Sequence, residues 1–469
     1  MFASFFLCFP LNFIEDPFWR KFYSSMSGFA VSLYFHGTGM IVNLFFILSN
    51  YLLMKYLPRR AACYSMGAWS FTFLMVMQWF YYMERNSGYL VTTILRMNFG
   101  KMTMIICNYS DAGQLQKHPL TSREKYYAIP LSKPLNSSQW IHYFLFIGAQ
   151  PIGPMHEYYD FEQFINFKGN ITKKPHTANI QTAFERFGEA LLKVAITICI
   201  QKYIDVEYMK TDEFAQRRLT YKVPFLIAAL HIQLYTMFAG FASLDANMIA
   251  SGLGYRPQSK HEPETFNAKK NVNMFSFQFS TNGTDALANF NMQVNSWLKY
   301  YVMMRTMDRV RPTGAVQFRP MLVSYLSYSI WLGYELGYFA CFIGIFFNSL
   351  ISKLIMRTQL AKDIKETIPW AVLFPVLWIW NFYQLAYVGM AYLFLYREDY
   401  FIVHSAFGHF FHYFYPIATV VAVLLPKART GVSRNRLPPK IKQTDSSDYD
   451  RKIRLRSPDK RKWSDSSDG

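Results

Sequence analysis

Cysteine is sparse, with five residues in a chain of 469. Cys8, Cys63, Cys107, Cys199 and Cys341 are scattered, odd in number and mostly set inside apolar stretches. No CxxC pair occurs, which argues against a zinc site or a disulfide framework and leaves inert buried thiols as the expectation. A convincing secretory leader is also lacking. Met1 to Ile14 is apolar, but no basic residue precedes it and no clear small-residue cleavage site follows, so it is expected to belong to the mature fold. Nor is there an internal repeat or a pair of interrupted apolar segments of the kind that marks a secondary transporter.

What the chain has is apolar and aromatic residue, 52% hydrophobic and 19% aromatic, too aromatic for an ordinary soluble domain. The mean hydropathy of +0.04 is mild because polar loops and a polar tail dilute strongly apolar blocks. A bilayer span needs roughly 17–25 mostly apolar residues. Phe29 to Tyr56, Ala61 to Met83, Trp140 to Met155, Phe187 to Ile204, Val223 to Leu253, Ile368 to Tyr396 and Ile402 to Leu425 are such blocks. Met321 to Ile355 fits one tilted helix plus a second segment, or two short helices. Met1 to Ile14 and Tyr89 to Tyr109 are weaker. The length rule therefore predicts an all-α polytopic membrane protein with about 8–11 transmembrane or re-entrant helices. Few polar faces alternate with the apolar ones, which argues against a large soluble helical protein.

The net charge is +19, and much of it follows Lys427. Arg434, Arg436, Lys440, Lys442, Arg451, Lys452, Arg454 and Lys460 crowd a segment interleaved with serine and aspartate. With little to bury, residues 427–469 are expected to form a disordered tail on a multi-span domain of residues 1–426. Basic residues beside a span place the tail on the cytosolic side, near anionic membrane lipids, and serine phosphorylation would weaken that attraction. A nucleic-acid partner does not suit a chain anchored by many spans. Asn108, Asn136, Asn170 and Asn282 begin N-x-[ST] sequons, each a glycosylation candidate only in a lumenal loop, and at Asn282 the match reads as accidental.

Two polar-bearing stretches carry most of the functional signal. One begins at Asn271-Val-Asn-Met-Phe and continues through Phe290-Asn291 to Trp297-Leu298-Lys299-Tyr300-Tyr301-Val302 and Arg305. The other is Ser327-Tyr-Ser-Ile-Trp331-Leu332-Gly333-Tyr-Glu335-Leu-Gly337-Tyr338. Together they resemble the membrane-bound O-acyltransferase family, in particular its lysophospholipid acyltransferase branch. That branch has WN or FN, then WL, YV and a basic residue, followed by S-x-x-W-H-G-x-x-x-G-Y. Gly153-Pro154-Met-His-Glu-Tyr158 through Phe164, Ser251-Gly252-Leu253-Gly254-Tyr255, Arg20 and Gly28 extend the likeness over most of residues 15 to 425.

The resemblance implies helices around a central lipid chamber, in the endoplasmic reticulum membrane. It also implies acyl transfer from acyl-CoA, as co-substrate rather than cofactor, to a lysophospholipid hydroxyl. Such a hydroxyl needs a base within hydrogen-bond reach. The family asparagine, which helps hold substrate or polarise the thioester, maps onto Asn291. The family histidine, taken as the base, maps onto Leu332, which cannot accept a proton. No histidine lies between Asn271 and Tyr338. His404, His409, His412 and His231 lie in apolar blocks elsewhere, as substitutes or as histidines paired with their neighbours. Trp297, Trp331, Glu335 and Tyr338 are the implied substrate-binding residues. The aromatic ones serve equally well as packing, and Gly333 with Gly337 forms a small-x-x-x-small pair that would let helices approach. Asn291 and Glu335 would be costly in lipid unless each is paired or lines a cavity. Either a poor acyltransferase or a non-catalytic lipid-binding or scaffolding relative fits these residues.

Overall fold

The apolar run from Phe29 to Tyr56 could be threaded as one tilted span, but the chain breaks it in two. In the computed structural model, which describes residues 2–84, 89–115, 119–168, 177–256, 265–307 and 317–428, helix α1 covers Pro17–His36 and α2 covers Gly39–Tyr56. The Asp16 carboxylate caps α1 by accepting from the Phe18 and Trp19 amides at 2.9 and 3.0 Å, and Pro17 takes the first helical position. Gly37, at φ 52°, ends the helix in a conformation that a side chain resists.

The remaining long helices are α3 (Arg59–Glu84), α4 (Tyr89–Ala112), α5 (Thr177–Gln201), α6 (Leu219–Ser251), α7 (Phe318–Leu332), α8 (Leu336–Ile355), α9 (Trp370–Leu393), α10 (Arg397–Ser405) and α11 (Phe410–Leu424). Helices α2, α6, α8 and α9 are long and apolar enough to cross a membrane, and α10 with α11, bent by 76°, makes a fifth if the pair is one span. Helices α1, α3, α4 and α5 have 20, 26, 24 and 25 residues, enough to span by length, but carry more polar residues. Among the described residues the only strand-like pairings are two isolated bridges, Arg256 with Thr265 and Thr358 with Lys427.

One apolar block departs from the expectation of a span, and another divides in one of the two expected ways. Trp140 to Met155 is a short helix, Ser137–Phe144, followed by turns, because Gly148, Pro151, Gly153 and Pro154 cannot sustain a helix. Met321 to Ile355 is two helices, α7 and α8, separated at Gly333–Glu335. Most of the expected tail lies outside the described residues, as does Asn170. Ala428 still donates its amide to the Arg357 carbonyl at 2.9 Å.

Helix α5 lies along α6, and α6 in turn packs on α9. Helix α8 is sheathed by α7, α9 and α11, while α3 packs against α2 and α4. The outward faces stay apolar at helical spacing: Ile41, Phe45, Leu48 and Leu52 on α2, and Val372, Val376 and Ile379 on α9, are exposed, as suits a lipid-facing surface. All five cysteines are free thiols, with Cys8, Cys63 and Cys341 buried and Cys199 exposed.

Two glycines of the sequence motifs mark close approaches. A Cβ at Gly28 would stand 1.9 Å from the Leu145 carbonyl oxygen, and one at Gly337 would stand 2.0 Å from the Ala391 carbonyl oxygen. Gly337 thus allows α8 to touch the end of α9. Gly333 does not share that helix; at φ 156° it lies in the break, so the two glycines form no helical pair. Gly337→Ala is expected to lower stability by at least the ~1–3 kcal/mol of an overpacked core. Gly67→Ala, where nothing lies within 4 Å of the added methyl, is expected to be neutral or stabilising. Surviving monodisperse protein after graded heating, read by size-exclusion chromatography in detergent, would separate the two.

Candidate functional site

The loop that carries Asn291 is held by backbone pairing. The Asn273 amide donates to the Asn289 carbonyl at 3.0 Å, and the Met292 amide donates to the Asn271 carbonyl at 2.7 Å. Asn271 is fixed from behind: its amide and its side-chain Nδ2 both donate to Asp245 Oδ1 on α6, at 2.9 and 2.8 Å. So clamped, Asn291 sits at φ 45°, ψ 51°, a left-handed conformation that asparagine tolerates better than most residues. It begins a short helix, Met292–Trp297, which runs on into a π-helical turn, Leu298–Met303. Such turns widen a helix and recur at functional sites.

Asn291 Nδ2 donates to the Tyr328 hydroxyl on α7 at 2.9 Å. Tyr328 is one turn before Leu332, so the two side chains share a helix face. Leu332 is the buried last residue of α7. The Trp331 ring packs on Trp297 at 5.6 Å and on Tyr328 at 5.5 Å. Both indoles are anchored to α4: Trp331 Nε1 donates to the Arg96 carbonyl at 2.8 Å and Trp297 Nε1 to Thr103 Oγ1 at 2.7 Å. Gln78 of α3 donates to the Trp331 carbonyl at 2.8 Å. The structure therefore joins Asn291, Trp297 and Trp331 in one network, with Leu332 a single turn from its tyrosine.

Glu335 and Tyr338 stand beyond the break. Glu335 is not within an apolar helix, as its sequence surroundings suggest, but precedes α8 at its N-cap position. Gly333 and Glu335 interrupt the helix there, and Glu335 Oε2 is buried without a hydrogen-bond partner. Tyr338 is buried against Tyr392, the ring centroids 5.4 Å apart.

The histidines that could replace the family base are engaged elsewhere. His404 Nδ1 and Nε2 face the Tyr400 and Tyr387 carbonyls at 2.8 and 3.1 Å. His412 is held between the Tyr387 and Tyr400 hydroxyls. His409, at φ 51°, sits in the bend before α11 with its ring against His412. His231 bonds the Ile227 carbonyl and Gln278.

Two turns along from Asn291, the same segment lines a polar cavity of about 310 Å³, walled by Tyr300, Tyr301 and Arg305 with Asn108 and Arg123. Sequence reasoning missed the groups that build it. Arg305 makes a two-pronged ion pair with the buried Asp111 of α4, at 3.1 and 2.7 Å. Glu157, in the non-helical stretch before Tyr158, takes Arg123 at 2.9 Å, the Tyr301 hydroxyl at 2.7 Å and Asn108 at 3.3 Å. Burial pushes the Glu157 carboxyl up, and Arg123 and the Tyr301 hydroxyl oppose that shift. Asn108 is therefore a buried network member, which removes it as a glycosylation acceptor. Asn136 is exposed but caps the helix Ser137–Phe144, and Asn282 caps Gly283–Ala288. The signal that could have found this network was the run of polar residues Arg96, Asn98, Lys101, Asn108 and Asp111 inside a marginal apolar block.

Removing one partner of a buried ion pair strands the other charge, at a cost of about 3–5 kcal/mol. Arg123→Met is expected to destabilise the fold on that scale, and adding Glu157→Leu to recover much of the loss. Thermal unfolding in detergent, compared across the two single variants and the double, would check this.

Residues 69–394 match the profile of the membrane-bound O-acyltransferase family. Among curated proteins, the chain is 24% identical over 315 residues to a lysophospholipid acyltransferase of Schizosaccharomyces pombe, covering 62% of this chain and 60% of that one. It is 25% identical over 262 residues to a lysophospholipid acyltransferase of Saccharomyces cerevisiae, covering 52% and 42%. To lysophospholipid acyltransferase 5 of Bos taurus it is 21% identical over 341 residues, covering 70% and 66%. The match thus spans less than two thirds of the length of each of these three relatives. The family match takes in more than half of the chain, including the asparagine loop, α7, α8 and the tryptophan network between them, and this multi-pass helical membrane protein belongs to the membrane-bound O-acyltransferase family.

Proposed function

We propose that the chain binds a lysophospholipid, the substrate its lysophospholipid acyltransferase relatives are named for, together with acyl-CoA as the acyl donor, and that Leu332 makes its acyl transfer slow. In this reading Asn291 polarises the thioester or holds the acceptor, and Trp297, Trp331, Glu335 and Tyr338 shape the substrate-binding walls. The lysophospholipid hydroxyl attacks the thioester carbon, the acyl–sulfur bond breaks, and the proton lost by the hydroxyl ends on the departing CoA sulfur, giving the free thiol; a base would carry that proton. The observation that carries the reading is that Leu332 is buried one turn from the Tyr328–Asn291 bond, at the position to which the sequence resemblance assigns the family histidine. The hydrogen bonds of His231, His404 and His412 to other groups support the absence of a substitute base. Loss of a general base lowers a rate by about 10²–10⁴, while positioning and electrostatic stabilisation persist. Residence in the endoplasmic reticulum, with the basic tail cytosolic, completes the proposal.

The same leucine supports a second reading, a relative that binds acyl-CoA or lipid, or scaffolds a partner, without turnover. Leucine is favourable in a spanning helix, so the replacement would leave the fold intact. Labelled acyl-CoA and a panel of lysophospholipids, supplied to membranes lacking related activity, distinguish these. Leu332→His is expected to raise transfer by about 10²–10⁴, and Asn291→Ala to abolish the gain. Rapid wild-type transfer unchanged by Leu332→His would overturn the proposal. A wholly silent wild type that still binds acyl-CoA, with transfer appearing in Leu332→His, would favour the second reading.

A further inference from the structure

Asp245 has a feature that its structural task leaves unused. It lies in α6 with only 3% of its surface exposed. Oδ1 accepts both hydrogen bonds from Asn271, and Oδ2 is buried without a hydrogen-bond partner. A lone buried carboxylate oxygen is costly unless something donates to it. Asp245 also lines a cavity of about 110 Å³, whose other walls include Arg186, Lys269, Lys270, Asn267 and Phe266. At about 30 Å³ per water this is room for a small polar headgroup and not for an acyl chain.

The charged groups of the wall differ in burial, Asp245 and Lys269 being buried and Arg186 and Lys270 partly exposed. Lys269 is engaged by Asp160 at 2.6 Å, and Arg186 gives one nitrogen to Glu189. Lys270 is half-buried and makes no ion pair among the described residues, and its carbonyl accepts from Gln293 on the Asn291 side. A ligand that satisfies all of these groups carries a hydrogen-bond-donating cation at its inner end and an anion at its outer end.

We infer that this cavity holds a phosphoethanolamine headgroup, its primary ammonium on Asp245 Oδ2 and its phosphate on Lys270 and Arg186. A primary ammonium supplies three donors to a carboxylate. A trimethylammonium supplies none and is usually held by a cage of aromatic faces, whereas Phe266 is the one aromatic residue among the described residues that line this cavity. The inference rests on the lysophospholipid reading above and narrows it to ethanolamine-type headgroups. The pocket is tied to the loop of that site, since Asp245 holds Asn271 and the Asn271 carbonyl holds the amide next to Asn291.

Native mass spectrometry of the purified full chain, given equal lysophosphatidylethanolamine and lysophosphatidylcholine, tests it. The wild type is expected to retain the ethanolamine lipid about tenfold or more over the choline lipid, the scale of one charge-assisted hydrogen bond. Asp245→Asn, which keeps the acceptor for the Asn271 amide, is expected to erase the preference, and Lys270→Ala to weaken both lipids alike. Soluble O-phosphoethanolamine is expected to displace the bound lipid and phosphocholine is not. Equal wild-type retention of both lipids, or a preference that survives Asp245→Asn, overturns this inference and leaves the acyltransferase reading standing. Retention of neither lipid overturns both. Binding of soluble O-phosphoethanolamine alone would assign the pocket to a free phosphoester and overturn the lipid assignment.

Discussion

The bond between the Asp245 carboxylate and Asn271 is the constraint on which the site geometry depends. It fastens a non-helical segment to the middle of a bundle, where main-chain groups must find partners inside the protein. From Asn271 the order passes to Met292 and so to Asn291, whose left-handed backbone persists because the pairings on either side leave it no other course. From Asn291 it passes through Tyr328 to α7 and the tryptophan pair. A single acid on α6 thus helps to set where α7 ends relative to the asparagine loop.

The same economy governs the polar cavity beside that loop. Ion pairs this buried contribute little to net stability, since desolvation offsets most of their attraction. The Tyr301 hydroxyl's hydrogen bond to Glu157 joins the π-helical turn to the Gly153–Tyr158 stretch, and the Arg305–Asp111 pair joins the turn that follows it to α4. That stretch is further pinned by Tyr143, whose hydroxyl donates to the His156 carbonyl at 2.6 Å. Non-helical backbone at this depth is tolerated because side chains satisfy it.

The histidines near the α10–α11 bend are engaged in structural contacts. The Tyr387, Tyr400, His404 and His412 cluster ties α9, α10 and α11 together: His404 of α10 faces a main-chain carbonyl of α9, and His412 of α11 lies between the Tyr387 and Tyr400 hydroxyls. The neutral His404 ring has one N–H, so it donates to one of the Tyr387 and Tyr400 carbonyls, and it also packs against both tyrosine rings. At the end of α7, where the carbonyl of Trp331 is already taken by Gln78, leucine fills a buried place that needs no such donor.

The helical membrane class and the family were legible in the sequence, because apolar length and short motifs are local properties. It also placed most long helices, with α6 and α9 differing from their apolar blocks by a few residues at the ends. It did not locate the interruptions at Gly37, at Gly333–Glu335 and between α10 and α11. Hydropathy averages over such breaks, and a positive φ or a bend costs little apolarity. Nor could it reveal Asp245, Glu157 or Asp111 as partners of residues between 26 and 194 positions away. Those pairings exist only once the helices are packed. Which buried acid is fully satisfied and which, like Asp245, has an oxygen without a donor depends on the packing of the helices, because hydrogen-bond completeness is a property of the packed surroundings and not of the residue.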